Sequence, residues 1–107
     1  MNAVRTKQIN RAIIANGGTS SNAIEFGSFA WLAIEVPSGD AAVAVIVDVK
    51  SGDGSSWVEA FTVDDTANRI KPLTAEELAI VGAFREFRLR VASPVGSEKI
   101  YFCHMSN

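Results

Sequence analysis

Short segments with a side-chain period of two dominate this chain, and they constrain its fold more than any other feature. The clearest is residues 41–50, where valines recur at every second position: Val43, Val45, Val47 and Val49. This spacing is typical of a strand that buries one face. On the other face, Asp48 and Lys50 are expected to mark the end that meets solvent. Residues 87–91 repeat the pattern, with apolar residues alternating with arginines.

Turn signals separate these segments at intervals of about 8–12 residues, a spacing typical of antiparallel β-sandwiches and barrels. They are rich in Gly, Pro, Asn, Asp and Ser, as in Pro37-Ser38-Gly39-Asp40 and the connection 51–56. Between them we expect strands at 9–14, 22–26, 29–36, 41–50, 57–63, 69–72, 87–92 and 98–105. The sequence therefore predicts an all-β fold of seven or eight short strands. A parallel sheet would need crossover helices, for which the chain has no room.

One short helix is expected between the later strands. Thr74 and Glu77 have the spacing of a capping box, which predicts a helix over about residues 75–80. Leu78, Val81 and Phe84 could continue that helix, but strict alternation begins at residue 87. We therefore expect the change from helix to strand near residues 82–83.

Size and charge limit the classes of function. The 107 residues suffice for one domain. A net charge of -2 argues against a nucleic-acid partner, which requires a strongly basic face. No apolar run approaches the roughly 20 residues of a membrane span, and residues 1–10 lack the apolar core of a signal peptide.

Residues with reactive side chains are few, and we expect no catalytic site, no cofactor and no metal. The single cysteine, Cys103, and the single histidine, His104, are adjacent, so on a strand they point to opposite faces. A buried thiol beside an exposed imidazole is the expected arrangement. Asp53 fits a hairpin turn better than a calcium loop, and residues 64–65 fit a solvated acidic loop.

The N-terminal segment differs from the rest of the chain. Residues 1–15 are predicted to form an extended arm, with a first short strand near 9–14, and residues 16–107 to form the β-domain. Arg5, Lys7 and Arg11 are the candidates for contacts with a neighbouring molecule, since an arm without its own core gains order by lying on a partner. A tail without such contacts is the alternative.

Aromatic residues supply the other candidate contacts. If Leu32, Ile34 and Val36 fill the core, Phe29 and Trp31 lie on the opposite face, and an exposed aromatic pair indicates an intersubunit surface. Sugar stacking on Trp31 or Trp57 is the alternative. Three arginines, Arg85, Arg88 and Arg90, fit a solvated strand face better than a basic patch, because Glu86 lies among them.

Three segments, in this order and spacing, resemble small structural proteins encoded among the head genes of tailed bacteriophages. The first is Thr19-Ser20-Ser21-Asn22-Ala23-Ile24-Glu25-Phe26-Gly27, before a strand that stops at Pro37. The second is the strand 41–50 with Ser51-Gly52-Asp53-Gly54-Ser55-Ser56-Trp57. The third is the helix-to-strand passage 73–91, which contains Phe84-Arg85-Glu86-Phe87-Arg88-Leu89. The likeness covers roughly residues 19–105, and the chain departs from the pattern in its N-terminal segment and at its end.

The resemblance implies a jelly-roll-like β-sandwich and a place in the virion. It implies a capsid decoration, or cement, protein. Such a protein would stabilise the shell by contacts with the major capsid protein and with further copies of itself, as a dimer or trimer. A carbohydrate-binding or fibre-type module of a phage particle is the alternative. No small-molecule substrate is expected.

Overall fold

The computed structural model describes residues 6–107, and this part of the chain forms eight strands and one helix. In chain order the elements are β1 Lys7–Ile14, β2 Ile24–Glu25, β3 Trp31–Glu35, β4 Val45–Lys50, β5 Trp57–Val63, β6 Ile70–Pro72, α1 Ala75–Phe84, β7 Glu86–Arg90 and β8 Lys99–Ser106. The predicted number of strands is confirmed. No helix among these residues has the length and apolarity needed to cross a membrane.

The strands form two antiparallel four-stranded sheets, so the predicted all-β sandwich is confirmed. The first sheet has the order β1-β8-β3-β6 and the second the order β2-β7-β4-β5. Strand β1 pairs with β8, β2 with β7, β3 with β6 and β4 with β5. The first strand thus pairs with the last, the second with the next to last, and so on inward to the β4–β5 hairpin. These pairings, divided between two sheets, are those of a jelly roll.

The core lies between the two sheets and is supplied by alternate residues of each strand. Leu32 and Ile34 of β3 and Val36 just after it are buried, as predicted from their shared face. Val43 departs from the pattern and is 42% exposed. It precedes β4, in a turn in which the amide of Val43 donates to the carbonyl of Asp40. The predicted strand 41–50 therefore begins only at Val45.

Helix α1 begins with the predicted capping box. The amide of Glu77 donates to Thr74 Oγ1, and the amide of Thr74 donates to Glu77 Oε1. The helix continues past the predicted end to Phe84, because Val81 is fully buried against the core and the amide of Arg85 donates to the Val81 carbonyl. Arg85 then ends the helix with a φ of 68°.

Strand β1 takes up most of the segment that the sequence analysis assigns to an arm. It pairs with β8 in continuous register from Lys7 opposite Ser106 to Ile14 opposite Lys99. Ala12 and Ile14 are fully buried. Residues 7–14 are thus the edge strand of the first sheet and contribute to the core. Residues 1–5 lie outside the described residues.

The connection between β1 and β2 joins the two sheets through side chains. Ser21 exchanges hydrogen bonds with Leu89 of β7, whose amide donates to Ser21 Oγ at 3.0 Å. Asn22 bonds the outer edge of β1: its Oδ1 accepts from the Ile13 amide at 2.8 Å, and its Nδ2 donates to the Arg11 carbonyl at 3.1 Å. The Ser21-Asn22 pair of the first resemblance motif therefore fastens β1 to the second sheet and occupies part of its free edge.

Candidate interaction surface

The outward side of the first sheet carries the candidate interaction surface. Alternate residues of its strands point away from the core, because their neighbours are buried between the sheets. We call this surface the outer apolar face; it comprises Lys7, Ile9, Arg11, Ile13, Trp31, Ala33, Glu35, Ile70, Pro72, Ile100, Phe102, His104 and Ser106.

Exposed apolar area is concentrated on this face. Of the seven large apolar side chains that stand out as exposed in the described chain, four lie here: Ile9 at 59%, Ile13 at 37%, Trp31 at 54% and Ile70 at 50%. Single exposed apolar residues are ordinary, but several on one sheet face mark a contact surface. The outer apolar face has the composition expected of a surface that another molecule covers.

Charged groups on this face are separated by strand. Arg11 of β1 and Glu35 of β3 both stand opposite Phe102 of β8, one on each side. The Arg11 guanidinium lies 5.9 Å from the centre of the Phe102 ring. Glu35 Oε1 lies 2.8 Å from His104 Nε2, and Glu35 Oε2 lies 3.6 Å from Arg69 Nη2. The positive side chains of β1 and the carboxylate of β3 thus flank an apolar centre.

A cavity of about 380 Å³ is lined by residues of this face and by the buried Leu32, Leu73 and Met105. Trp31, Ile9 and Pro72 line it together with His104, and most of its lining is apolar. The cavity therefore suits an apolar side chain of a partner better than a polar ligand.

The outer face of the second sheet is different, because the charges at its centre are paired within the chain. Asp48 Oδ2 accepts from Arg88 Nε and from Arg90 Nε, both at 2.9 Å, and Oδ1 accepts from Arg90 Nη2 at 3.2 Å. Arg90 also donates to Glu59 at 2.7 Å. The expectation that Asp48 meets solvent is wrong: the residue is 2% exposed. The two arginines cover it, since β7 lies beside β4.

The pKa of Asp48 reports this network. Burial raises the pKa of the carboxyl group, but the hydrogen bonds from Arg90 and Arg88 outweigh burial and lower it below the ordinary value of 3.8. Asp48 Oδ1 and Oδ2 therefore stay ionised at neutral pH. The centre of the second sheet's outer face is therefore an ion-pair cluster of Asp48, Arg88, Arg90 and Glu59, in contrast to the outer apolar face.

Trp57 belongs to that second surface and is half-buried. The Lys50 ammonium lies 4.7 Å and the Arg88 guanidinium 4.9 Å from the centre of its indole ring. These contacts occupy the ring within the chain. Trp57 is thus a poorer stacking platform than Trp31.

The predicted contact residues fall into three groups. Lys7, Arg11 and Trp31 lie together on the outer apolar face. Phe29 does not join them: it precedes β3 and packs, partly buried, against the core. The expected exposed pair of Phe29 and Trp31 is therefore wrong, because the period of two does not extend into the turn before β3. Arg5 lies outside the described residues.

The structure adds three residues that the sequence analysis did not place in the site. Glu35, Phe102 and His104 meet only because β3 and β8 are neighbours, although they are far apart in the chain. The alternation along residues 98–105 gave a signal for Phe102 and His104, since it puts them on the face opposite Cys103. The period of two puts Glu35 on the face of Trp31, but nothing local indicated that this face would meet Phe102 and His104.

Lys71 is a further residue whose environment the sequence did not indicate. It is fully buried on β6. Its ammonium donates to the backbone carbonyls of Ala41 and Asp65. These bonds hold the two loops beside the first sheet, so Lys71 has a structural role.

The remaining reactive groups are placed as follows. Cys103 is fully buried, and burial raises the pKa of its thiol to about 12; His104 points to the other face. Asp53 accepts hydrogen bonds from Ser51 and Ser55 in the β4–β5 turn, and these bonds lower its pKa to about 2. Across residues 6–107, no three His, Cys, Asp or Glu side chains cluster as a metal site would require.

No model of a known protein family matches this chain, and no curated protein matches it significantly.

Proposed function

We propose that this protein is a structural component of a virus particle: a capsid decoration protein that stabilises the shell by contacts between its own copies and with the major capsid protein. It acts at the capsid surface, by adhesion and without chemical catalysis. The outer apolar face, which exposes Ile9, Trp31 and Ile70, is the observation that carries the proposal.

The fold supports the same proposal. Two nested sheets in jelly-roll order occur in viral capsid domains and in lectins. Each sheet of a jelly roll presents a broad outer face, which suits contact with a large surface better than enclosure of a small ligand. Because fold alone does not define function, the choice between capsid contact and carbohydrate binding depends on the chemistry of the exposed face.

The side chains of that face favour a protein partner. Ile9, Trp31 and Phe102 provide the apolar centre, and Arg11 and Glu35 provide charges at its sides. Aromatic and arginine residues around an apolar centre are typical of protein interfaces. Attachment of joined copies to a repeating shell would multiply a modest single contact through effective concentration.

The test is co-sedimentation of the purified full chain with assembled shells of the major capsid protein from the same genome. We expect saturable binding with a fixed number of copies per shell. Ile9→Asp or Trp31→Asp should weaken binding about tenfold or more, since each places a charge on the face where copies join, and joined copies attach to the shell more tightly than single ones. Val58→Asp is the matched control, because Val58 is similarly exposed, at 49%, but belongs to the second sheet.

Two results would count against the proposal. Wild-type chain that stays in the supernatant at every shell concentration would exclude the function itself. Equal shell binding by the Ile9→Asp and Val58→Asp variants would show that the outer apolar face does not contribute to attachment. Thermal unfolding of each variant separates lost binding from lost folding.

Carbohydrate binding is the second candidate function, and the exposed Trp31 beside the cavity favours it. Sugars bind by stacking on such a ring while nearby polar groups hold their hydroxyls. A glycan array probed with the wild-type chain and with Trp31→Ala tests it. Binding that the substitution abolishes would support a lectin-type module, whereas no glycan signal would leave the decoration role as the only candidate.

A further inference from the structure

We infer that a second copy of this chain covers the outer apolar face over β1, β8 and β3, related to the first by a two-fold axis that runs along β8. The inference rests on the proposed function, because it names the partner of the same surface. Its basis is the charge and size of the outward side chains of β1 and β3, which lie on either side of β8.

The charged row shows the self-complementarity most directly. Arg11, Phe102 and Glu35 stand in one row across β1, β8 and β3. Rotation about an axis along β8 keeps the row in place and exchanges its two sides. Arg11 then lies over Glu35 of the second copy, and Glu35 over Arg11 of the second copy. One operation produces two opposite-charge contacts, as a two-fold interface requires.

The neighbouring rows obey the same operation. Ile9 and Ala33 flank His104, so the large side chain of one copy lies over the small one of the other. Lys7 and Trp31 flank Ser106, so the ammonium group lies over the exposed indole of the second copy, where a cation–π contact forms. Three successive rows thus pair unlike with unlike.

Charge also selects the direction of the axis. A two-fold axis across the strands, through the row of His104, would place Lys7 over Arg11 of the second copy, twice. That arrangement brings like charges together without a counter-ion. The axis along β8 instead sets Arg11 of β1 against the carboxylate of Glu35 in both contacts.

The size of the face predicts weak association. The axis along β8 leaves β6 outside the contact. Strands about 4.8 Å apart, rising about 3.3 Å per residue, give β1, β8 and β3 a plan area on the order of 300 Å². Two such faces together fall below the roughly 1,200 Å² of stable specific interfaces, in the range of weak, transient contacts. We therefore expect free chains to associate reversibly, at concentrations between about 10 µM and 1 mM.

Charge reversal tests the arrangement in sedimentation experiments on the full chain. Arg11→Glu alone places two carboxylates opposite each other in both contacts, and Glu35→Arg alone places two guanidinium groups there. Each variant should self-associate about tenfold more weakly than wild type. An equimolar mixture of the two variants should associate to within about threefold of wild type, because both contacts then pair opposite charges again.

Each outcome is decisive. Restored association in the mixture supports the axis along β8. The axis is overturned if the mixture associates as weakly as the single variants, or if the single variants associate as strongly as wild type. Wild-type chain that remains a monomer over the whole range also overturns it. Because Glu35 contacts His104 and Arg69 within its own chain, thermal unfolding checks each variant, and Glu35→Lys replaces Glu35→Arg if folding is impaired.

Failure of this inference is distinguishable from failure of the proposed function. Chain that co-sediments with shells but never self-associates refutes only the two-fold contact. If the chain self-associates but does not co-sediment with shells, only the decoration role is refuted.

Discussion

Replacement of Asp48 by asparagine should be one of the most destabilising polar substitutions in the second sheet. The carboxylate accepts three hydrogen bonds from Arg88 and Arg90 and is 2% exposed. The variant keeps the shape of the side chain but loses its charge. It also turns an amide donor toward guanidinium groups that are donors themselves.

The magnitude follows from the exposure of the partners. Removal of one member of a fully buried ion pair costs about 3–5 kcal/mol. The Arg88 and Arg90 side chains are 23% and 28% exposed, and Arg90 keeps its contact with Glu59, so solvent compensates part of the loss. We expect Asp48→Asn to reduce the free energy of unfolding by about 2–3 kcal/mol, and the melting temperature by about 10 °C.

Urea unfolding measures this free energy, with Glu59→Gln as the matched control. Glu59 bonds the same Arg90, but its side chain is 59% exposed, so its loss should cost less than about 1 kcal/mol. The difference in the free energy of unfolding between wild type and Asp48→Asn should become smaller in acid. The folded-state pKa of Asp48 is lowered below 3.8, so its stabilisation is complete above about pH 4 and disappears as the pH falls through the folded-state pKa.

The reasoning fails if Asp48→Asn costs no more than Glu59→Gln at pH 7. It also fails if the difference between wild type and Asp48→Asn is the same at pH 3 and pH 7, because the carboxylate charge would then contribute nothing. A change in the urea m-value would indicate an altered denatured state, and comparison of the slopes detects it.

Three further predictions concern the described residues. Thr74→Ala removes the N-cap acceptor of α1 and should cost about 1 kcal/mol in urea unfolding; Thr66→Ala, in an exposed loop, should be neutral, and equal costs would contradict the capping role. Cys103, whose thiol pKa burial raises to about 12, should react with a disulfide reagent only after unfolding, and prompt labelling of native protein would be the contrary result. Asn22→Ala should accelerate hydrogen exchange at the Ile13 amide, which donates to the Asn22 side chain. If the acceleration is no greater than the loss of global stability explains, the hydrogen bonds of Asn22 do not hold the edge of β1.

The sequence predicted those parts of the fold that local chemistry decides. The Thr74–Glu77 capping box appears in the structure because both of its hydrogen bonds lie within one turn. The return strand Trp57–Val63 has the predicted bounds, since turn residues delimit it on both sides. Errors occurred where the pattern of two ran into a turn, as at Phe29 and Val43, whose exposure the turn geometry determines.

The candidate site was only partly predictable. Lys7, Arg11 and Trp31 were selected by exposure, charge and aromatic character, which are properties of single residues. The period of two along β3 puts Glu35 on the same face as Trp31, but neither could be joined to His104, because nothing local shows that β3 lies beside β8.

The sequence by itself determined that this chain is an all-β domain, with alternation, turn residues and a capping box that act over a few neighbouring positions. Tertiary structure decided which strands are neighbours, and hence that Asp48 is buried beneath two arginines while Arg11 and Glu35 flank one phenylalanine. The physical reason is range. Periodicity shows which side of a strand faces the core, but sheet order depends on the packing of the whole chain, and that order creates both the buried ion pairs and the outer apolar face.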